Sequence, residues 1–477
     1  MPLASARPRP LRTTPAARSP AGTTGGRSPR RRCPYLLAAA FFTAYAALSV
    51  TQHLRLRSTG YDLGIFEQAV RAYSELRAPV AELKGSGYNL LGDHFHPILA
   101  TVAPLYRIFP TPVTLLVVQA ALLAASVVPV TRLAIRSTTP RLGTAVGAAY
   151  GLSWGLQQAV GFDFHEIAFA VPLLAFCLEH LARRQWRAAA VWSLPLVLVK
   201  EDLPLTVAAI GLYIVLHGRR RLGAAVLAYG LLAGLLIVLV VIPAFNPHGH
   251  YDYLHSAIPT GSSPLVRLFL PTEKLGTLLA LLVPTAFMAL RSPLVLLALP
   301  TLAWRFWSTN PAYWGHDYHY SAVLMPILFL AFADALGRLR GPGMCRSRLV
   351  TGAVAASLTV SLVTLPALPL RDLAGPAWQP SPWAEAARQV MAAVPDGADI
   401  AVVNSLAPQL TARTQVYQFP QALDSDRRPE WLLVSDPAHG GMPVFDWELP
   451  RLADIPTLGY RLVAERSGIQ LYRLVHD

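Results

Sequence analysis

The sequence has 477 residues, 53% hydrophobic and only 14% charged, where a soluble protein carries roughly 25% charged residues. Apolar runs of about 16 to 24 residues recur along most of it, close to the roughly 20 that cross a bilayer as helix, so a wholly soluble chain is excluded. The net charge of +14 does not imply nucleic acid, because much of it sits in residues 1–34, which hold eight arginines and no acid.

That segment is rich in Pro, Ser, Thr and Gly and is expected to be a disordered, Arg-rich cytoplasmic tail. No cleavage site for a signal peptide stands out after it. The transmembrane domain is expected over 35–370. Its spans are read near 35–52, 112–133, 141–160, 166–182, 187–200, 203–217, 222–244, 275–290, 292–304, 320–336 and 349–368. With the N-terminus inside, the loops 131–141, 180–187, 217–223, Arg291 and 337–348 are all basic and free of acid, as cytoplasmic loops should be. Segment 98–109 is apolar but short and proline-punctuated, and reads as a surface or re-entrant helix.

The outer face collects the chemistry. Its loops are 53–111, 161–166, 245–274 and 305–319, with Lys200-Glu201-Asp202 between two spans. Nine of the thirteen histidines fall there: His53, His94, His96, His165, His248, His250, His255, His316 and His319. The aromatics around Trp314 suit either an interfacial belt or stacking against a sugar or lipid headgroup. After about residue 370 the balance inverts, with thirteen acids against nine basic residues over 371–477. A helix at 380–395 and strands at 399–404, 430–436, 460–467 and 469–475 describe a small α/β domain outside the membrane. The expected fold is therefore a polytopic α-helical membrane protein of about eleven transmembrane helices with a small C-terminal extracytoplasmic α/β domain.

Charged and imidazole groups beside a bilayer are costly unless they face water or each other, so the cluster in Gly60–Pro97 marks a candidate site. Asp62, with Glu67 or Asp93, is a candidate base for an incoming hydroxyl, or Asp62 simply caps a helix starting at Leu63. Asp93, His94 and His96 have the spacing to chelate a divalent cation, Mg or Mn, or else serve as ordinary loop hydrogen-bonding groups. Asp163 and His165 repeat the Asp-x-His spacing. Lys200, flanked by Glu201 and Asp202, either binds a lipid phosphate or forms a salt-bridged hairpin; Arg305 is a second candidate for the same anion. Glu166, Trp314, Asp317 and His319 complete the expected substrate-binding set. There is no P-loop, dinucleotide fingerprint, nucleophile elbow or zinc-protease motif, so an ATP-driven pump is unsupported.

The motifs YDLGIFEQA (61–69), LLGDHFHPIL (90–99), FDFHEIAFAVPLL (162–174), LVKEDLPL (198–205) and NSLAPQLTARTQVYQFP (404–420) resemble a bacterial family of predicted multi-pass membrane proteins of unknown function. That family is similar to the glycosyltransferase C superfold, polytopic enzymes that use polyprenyl-phosphate sugars. The resemblance puts Asp62 in the place of that superfold's acidic residue in the first outer loop, its catalytic base. The first loop holds no Asp-x-Asp or Glu-Asp doublet; the Glu-Asp pair, Glu201-Asp202, comes much later. The expected function is transfer of a sugar from a polyprenyl-phosphate donor at the outer face of the cell membrane. Its partners are the bilayer and that lipid-linked sugar. The alternatives are a transporter or lipid flippase, and a non-catalytic scaffold. A transporter site would lie at mid-membrane, whereas these charges lie in outer loops.

Overall fold

A computed structural model describes residues 29–253, 264–339, 344–424 and 428–475. Residues 1–28 of the expected tail, His255 and part of the 245–274 loop lie outside them. The first helix, Pro29–Leu54, already begins inside the segment expected as tail.

The chain is mostly helical. Five helices are long and apolar enough to cross a membrane: Arg32–Leu54, Pro112–Ser137, Arg220–Phe245, His319–Arg338 and Met344–Ala367. Several other expected spans are interrupted. The 141–160 stretch is one helix, Pro140–Gly151, and a second, Trp154–Gly161, with Ser153 extended between them. The 275–290 stretch ends its helix at Leu282, passes through Val283–Thr285 as a single 3₁₀ turn, and breaks at Ala286 and Phe287, both at positive φ. Pro284 explains the break, since proline removes an amide donor and crowds the preceding turn. Pro195 and Pro293 lie in comparable 3₁₀ segments, Leu194–Leu198 and Pro293–Ala298. Non-helical backbone at membrane depth survives only where protein surrounds it. Here the surround is an apolar body centred on the deeply buried helix Leu324–Arg338.

The C-terminal segment forms a five-stranded sheet: β1 (Asp399–Val402), β2 (Gln415–Gln418), β3 (Trp431–Ser435), β4 (Tyr460–Arg466) and β5 (Ile469–Leu474), in the order β2-β1-β3-β5-β4. β1 pairs parallel with β2 and β3, and β5 pairs antiparallel with β3 and β4. β2 was missing from the strand pattern. It carries only four residues, with glutamine at both ends, so its alternation is too brief to read.

The loop after the first helix, expected on the outer face, does not stand apart from this sheet. Ile65, Ala69, Ala81, Leu83 and Leu90 share one apolar core with Val390, Ile400, Val402, Ala407 and Val416. Each large aliphatic side chain so buried contributes about 1.5–3 kcal/mol relative to exposure. The loop around Asp62 is thereby set between the helical body and the C-terminal sheet.

Within the helical body, Leu203–Leu216 and Arg220–Leu236 pack through glycine. A Cβ on Gly211 would lie 2.3 Å from the Leu227 amide nitrogen, and one on Gly230 2.6 Å from that of Ala208. Small residues at such contacts let membrane helices approach closely. Gly211→Leu should therefore cost roughly 1–3 kcal/mol through overpacking, seen as a lower midpoint of thermal unfolding in detergent. An unchanged midpoint would contradict this close approach.

Candidate functional site

Residues Gly60–Gly64 make a single π-type turn in which Asp62 adopts φ 78° and ψ −92°. A non-glycine residue in such a region costs on the order of 1–3 kcal/mol and persists only where its surroundings hold it. Asn404 does the holding: its backbone oxygen accepts from the Gly60 amide at 2.7 Å, and its Oδ1 accepts from the Tyr61 amide at 2.8 Å. Asn404 is itself fixed by donating its amide to Glu448 Oε1 at 2.7 Å. Asp62 does not cap the next helix, Ile65–Ser74, whose N-cap position is Gly64. Its Oδ1 instead lies 2.9 Å from His165 Nε2.

His165 comes from the second outer loop, and that loop carries its own strain. Asp163 sits at φ 101°. Its Oδ2 accepts from the Thr59 amide at 2.8 Å and from the Thr59 hydroxyl at 2.9 Å, which ties the two loops together directly. Burial pushes the Asp163 carboxyl well above its usual range, against those two bonds. The His165 amide donates to Gln119 Oε1 at 2.8 Å. On its other side, His165 Nδ1 is 2.8 Å from Glu166 Oε2, at an angle that makes this a charge contact rather than a hydrogen bond. Burial alone would lower the imidazole, but Glu166 and Asp62 outweigh it and hold it up at about 9. The ring is a cation at neutral pH. His319 stacks on it with centroids 3.4 Å apart, and neither His319 ring nitrogen has a hydrogen-bond partner among the described residues.

Charge then passes inward. Glu166 Oε1 pairs with Lys200 Nζ at 2.9 Å, both side chains buried. The Lys200 ammonium is thus held by Glu166, a carboxylate of a different loop 34 residues away in sequence. Glu201 Oε1 receives His94 Nδ1 at 2.6 Å and the Tyr251 hydroxyl at 2.8 Å, and its Oε2 accepts the Phe95 amide at 3.1 Å. Burial would raise Glu201, but His94 and Lys200 hold it down at about 2. Its neighbour Asp202, bonded at 2.8 Å to the Trp304 indole, is pushed up by burial to about 6.

The expected chelating triplet is not assembled. Asp93 pairs with Lys84 at 2.9 Å, His94 is bound to Glu201, and buried His96 lies edge-on to Phe66 with Nδ1 unpartnered among the described residues. Among the described residues, no three His, Cys, Asp or Glu side chains are placed to hold an ion.

Two further candidates serve structure. Glu67, expected to assist Asp62, is fully buried, with its oxygens accepting from the Tyr106 hydroxyl at 2.7 Å and from the Thr411 hydroxyl. Arg305, expected at an anion, is fully buried and donates to the carbonyls of Tyr313 at 2.6 Å and Tyr320 at 3.2 Å and to Ser321 Oγ at 3.2 Å. It shapes the 306–320 loop from inside, where the last-turn position on Leu299–Trp307 points it. Trp314 is buried with its backbone oxygen bonded to the Thr277 hydroxyl at 2.6 Å, while Asp317 is exposed on the same loop. Asn404 and Glu448 have no assigned role in the sequence reading. Asn404 opens the motif NSLAPQ, a legible signal; Glu448 gave none.

Two predictions follow from this geometry. Lys200→Met leaves buried Glu166 with His165 as its remaining counter-charge and should destabilise by up to about 3–5 kcal/mol, with much of the loss recovered on adding Glu166→Gln; a thermal-unfolding cycle in detergent reads it, and additive losses would refute the pairing. Separately, burial raises Glu67 from 4.5 to about 7 despite its hydrogen bonds. The folded chain therefore keeps this proton where the unfolded chain has lost it, and stability should fall as pH rises from about 4.5 to about 7. Glu67→Gln should flatten part of that slope in denaturation midpoints measured across the window.

Residues 52–471 match a family described as Predicted membrane protein (DUF2079). No curated protein matches the sequence. Among solved structures, the chain is similar to ArnT from Cupriavidus metallidurans, both in the apo state and bound to undecaprenyl phosphate. In each case the TM-score is 0.55 at 14% identity, covering 92% of this chain and 97% of that one. At such identity the likeness is one of fold. The expected family is borne out, and the chain shares its fold with ArnT.

Proposed function

We propose that this chain, which belongs to the Predicted membrane protein (DUF2079) family, is a membrane glycosyltransferase that moves a sugar from a polyprenyl-phosphate donor to an acceptor hydroxyl. The observation that carries the reading is Asp62: a part-exposed carboxylate held in a strained turn, backed by a cationic His165, in a fold similar to a protein that binds undecaprenyl phosphate. The proposal includes eleven crossings, a cytoplasmic N-terminus, and the site and C-terminal sheet on the outer face.

Asp62 accepts the proton of the acceptor hydroxyl as its oxygen bonds to the anomeric carbon. The bond from that carbon to the phosphate oxygen breaks, and its electron pair leaves with the polyprenyl phosphate. His165, 2.9 Å from Oδ1, orients the Asp62 carboxylate toward the acceptor. Charge building on the leaving phosphate needs a fixed cation. The chain has three lysines. Lys200 is tied to Glu166, and Lys274 to the carbonyls of Arg267 and Phe306 at 2.7 and 2.6 Å. Lys84, paired with Asp93 at 2.9 Å but the most exposed of the three, is the lysine we assign to that task. No step is assigned to a divalent cation, because Asp93, His94 and His96 do not converge on one.

Membranes from expressing cells, supplied with radiolabelled polyprenyl-phosphate sugars, test the reading. Asp62→Asn at matched expression should lower transfer by about 10²–10⁴-fold, the usual worth of a general base. The folded imidazolium is favoured below its unfolded pKa of 6.5 and is lost as pH rises through about 9, so wild-type transfer should decline across that upper limit. Substrate flux into vesicles without a new glycosidic bond would indicate a transporter. A cellular phenotype that survives Asp62→Asn, with no transfer from any donor, would indicate a scaffold.

A further inference from the structure

The turn that presents Asp62 also presents an aromatic ring. Tyr61 is 36% exposed, and its ring lies 6.0 Å from that of Trp447, tilted by 47°. Trp447 in turn stacks on Phe445, centroids 5.8 Å apart and planes within 20°. Both are exposed, at 36% and 43%. The three rings form a continuous ledge running from the residue beside Asp62 onto the C-terminal domain. Nothing in the catalytic reading uses it.

The ledge is a held surface, not a loose loop tip. The Phe445 amide donates to Glu448 Oε2 at 2.9 Å, while Oε1 of the same carboxylate accepts from the Asn404 amide. Asn404 clamps Gly60 and Tyr61. One buried carboxylate therefore sets both the aromatic segment and the turn that carries Asp62.

We propose that Tyr61, Phe445 and Trp447 are the acceptor-binding surface, and that the acceptor is a carbohydrate. This rests on the glycosyl-transfer reading above and names its second substrate. The chemistry is selective. An aromatic face carries negative charge density, and the C–H bonds on one face of a pyranose ring present a complementary, weakly positive apolar surface. The hydroxyls at the ring's rim remain free to meet Asp62 at the near end of the ledge. Stacked rigid aromatics suit such a ring at little cost in side-chain entropy. A bilayer surface is a poorer occupant, because the part-exposed Asp62 carboxylate beside Tyr61 would have to be desolvated with it.

The test uses the full-length protein in nanodiscs and a panel of short glucose, mannose and N-acetylglucosamine oligosaccharides. Saturation is transferred from protein aromatic protons to sugar ring protons. Wild type and Asp62→Asn should both give the signal. Phe445→Ala with Trp447→Ala should weaken binding by about tenfold or more, and Trp447→Phe should restore most of it. An unchanged thermal midpoint confirms that the double variant is folded. In the transfer assay the loss in Trp447→Ala should fall on KM for the acceptor rather than on kcat. No signal from any sugar with wild type, an equal signal from the folded double variant, or saturation passing from these rings to lipid chains instead would each overturn the proposal. The two readings fail separately. Sugar binding that depends on the ledge without any transfer would remove the transferase and leave a carbohydrate site. Transfer with an unmoved KM in Trp447→Ala would remove the ledge and leave the transferase.

Discussion

Four ionisable side chains in a row, Asp62, His165, Glu166 and Lys200, impose the main constraint on this protein. They lie where water is scarce, and an isolated charge there would cost several kcal/mol. Alternating signs solve the problem, since each charge is neutralised by its neighbours. The consequence is positional: the row can exist only if the first outer loop, the second outer loop and the Lys200 hairpin meet at one place. Glu201 extends the same logic to the far end of the first loop through His94 and the Phe95 amide.

The row also explains why strain is tolerated at Asp62 and Asp163. Both carboxylates are directed by positive-φ backbones toward the junction of the two loops. A strained residue relaxes unless its neighbours over-determine it. Asp62 is restrained by His165 in front and Asn404 behind, and Asp163 by two donors from Thr59. The outer open end of the row is Asp62, whose carboxylate is less buried than those of Glu166 and Glu201. Accessible charge backed by buried counter-charge is the arrangement a proton acceptor needs.

Much of this was legible in the residues. Asp62, His165, Glu166, Lys200, Glu201, His94 and His319 all stand out as charge or imidazole among apolar runs, and they do come together. What the pattern lacked was direction. Nothing in Arg305's position on a short apolar helix says that it turns inward to carbonyls. Nor does Glu67, at first-turn spacing from Asp62, declare that it binds Tyr106 and Thr411. Such choices follow no single spacing: Arg305 turns to groups within its own following loop, whereas Glu67 meets Tyr106 in the next helix and Thr411 344 residues away. The interrupted spans were hidden for another reason: hydropathy measures apolar length and is blind to the proline and positive-φ breaks at Pro284, Ala286 and Phe287.

The position of the C-terminal sheet follows from the same long-range contacts. By composition it is a separate acidic unit, yet its core includes Ile65, Ala69, Leu83 and Leu90 from the first outer loop. Gln68 strengthens the join, donating to the β2 carbonyl of Val416 and accepting from the Leu83 amide. Asn404 sits just past β1, where the strand's carboxyl end meets the Asp62 turn. A sheet that merely covered the helical body would have no reason to reach into that turn with two hydrogen bonds from Asn404. Its contacts make it part of the device that aims Asp62, so a change in the sheet reaches the site through Asn404 and Glu448 rather than through the membrane helices.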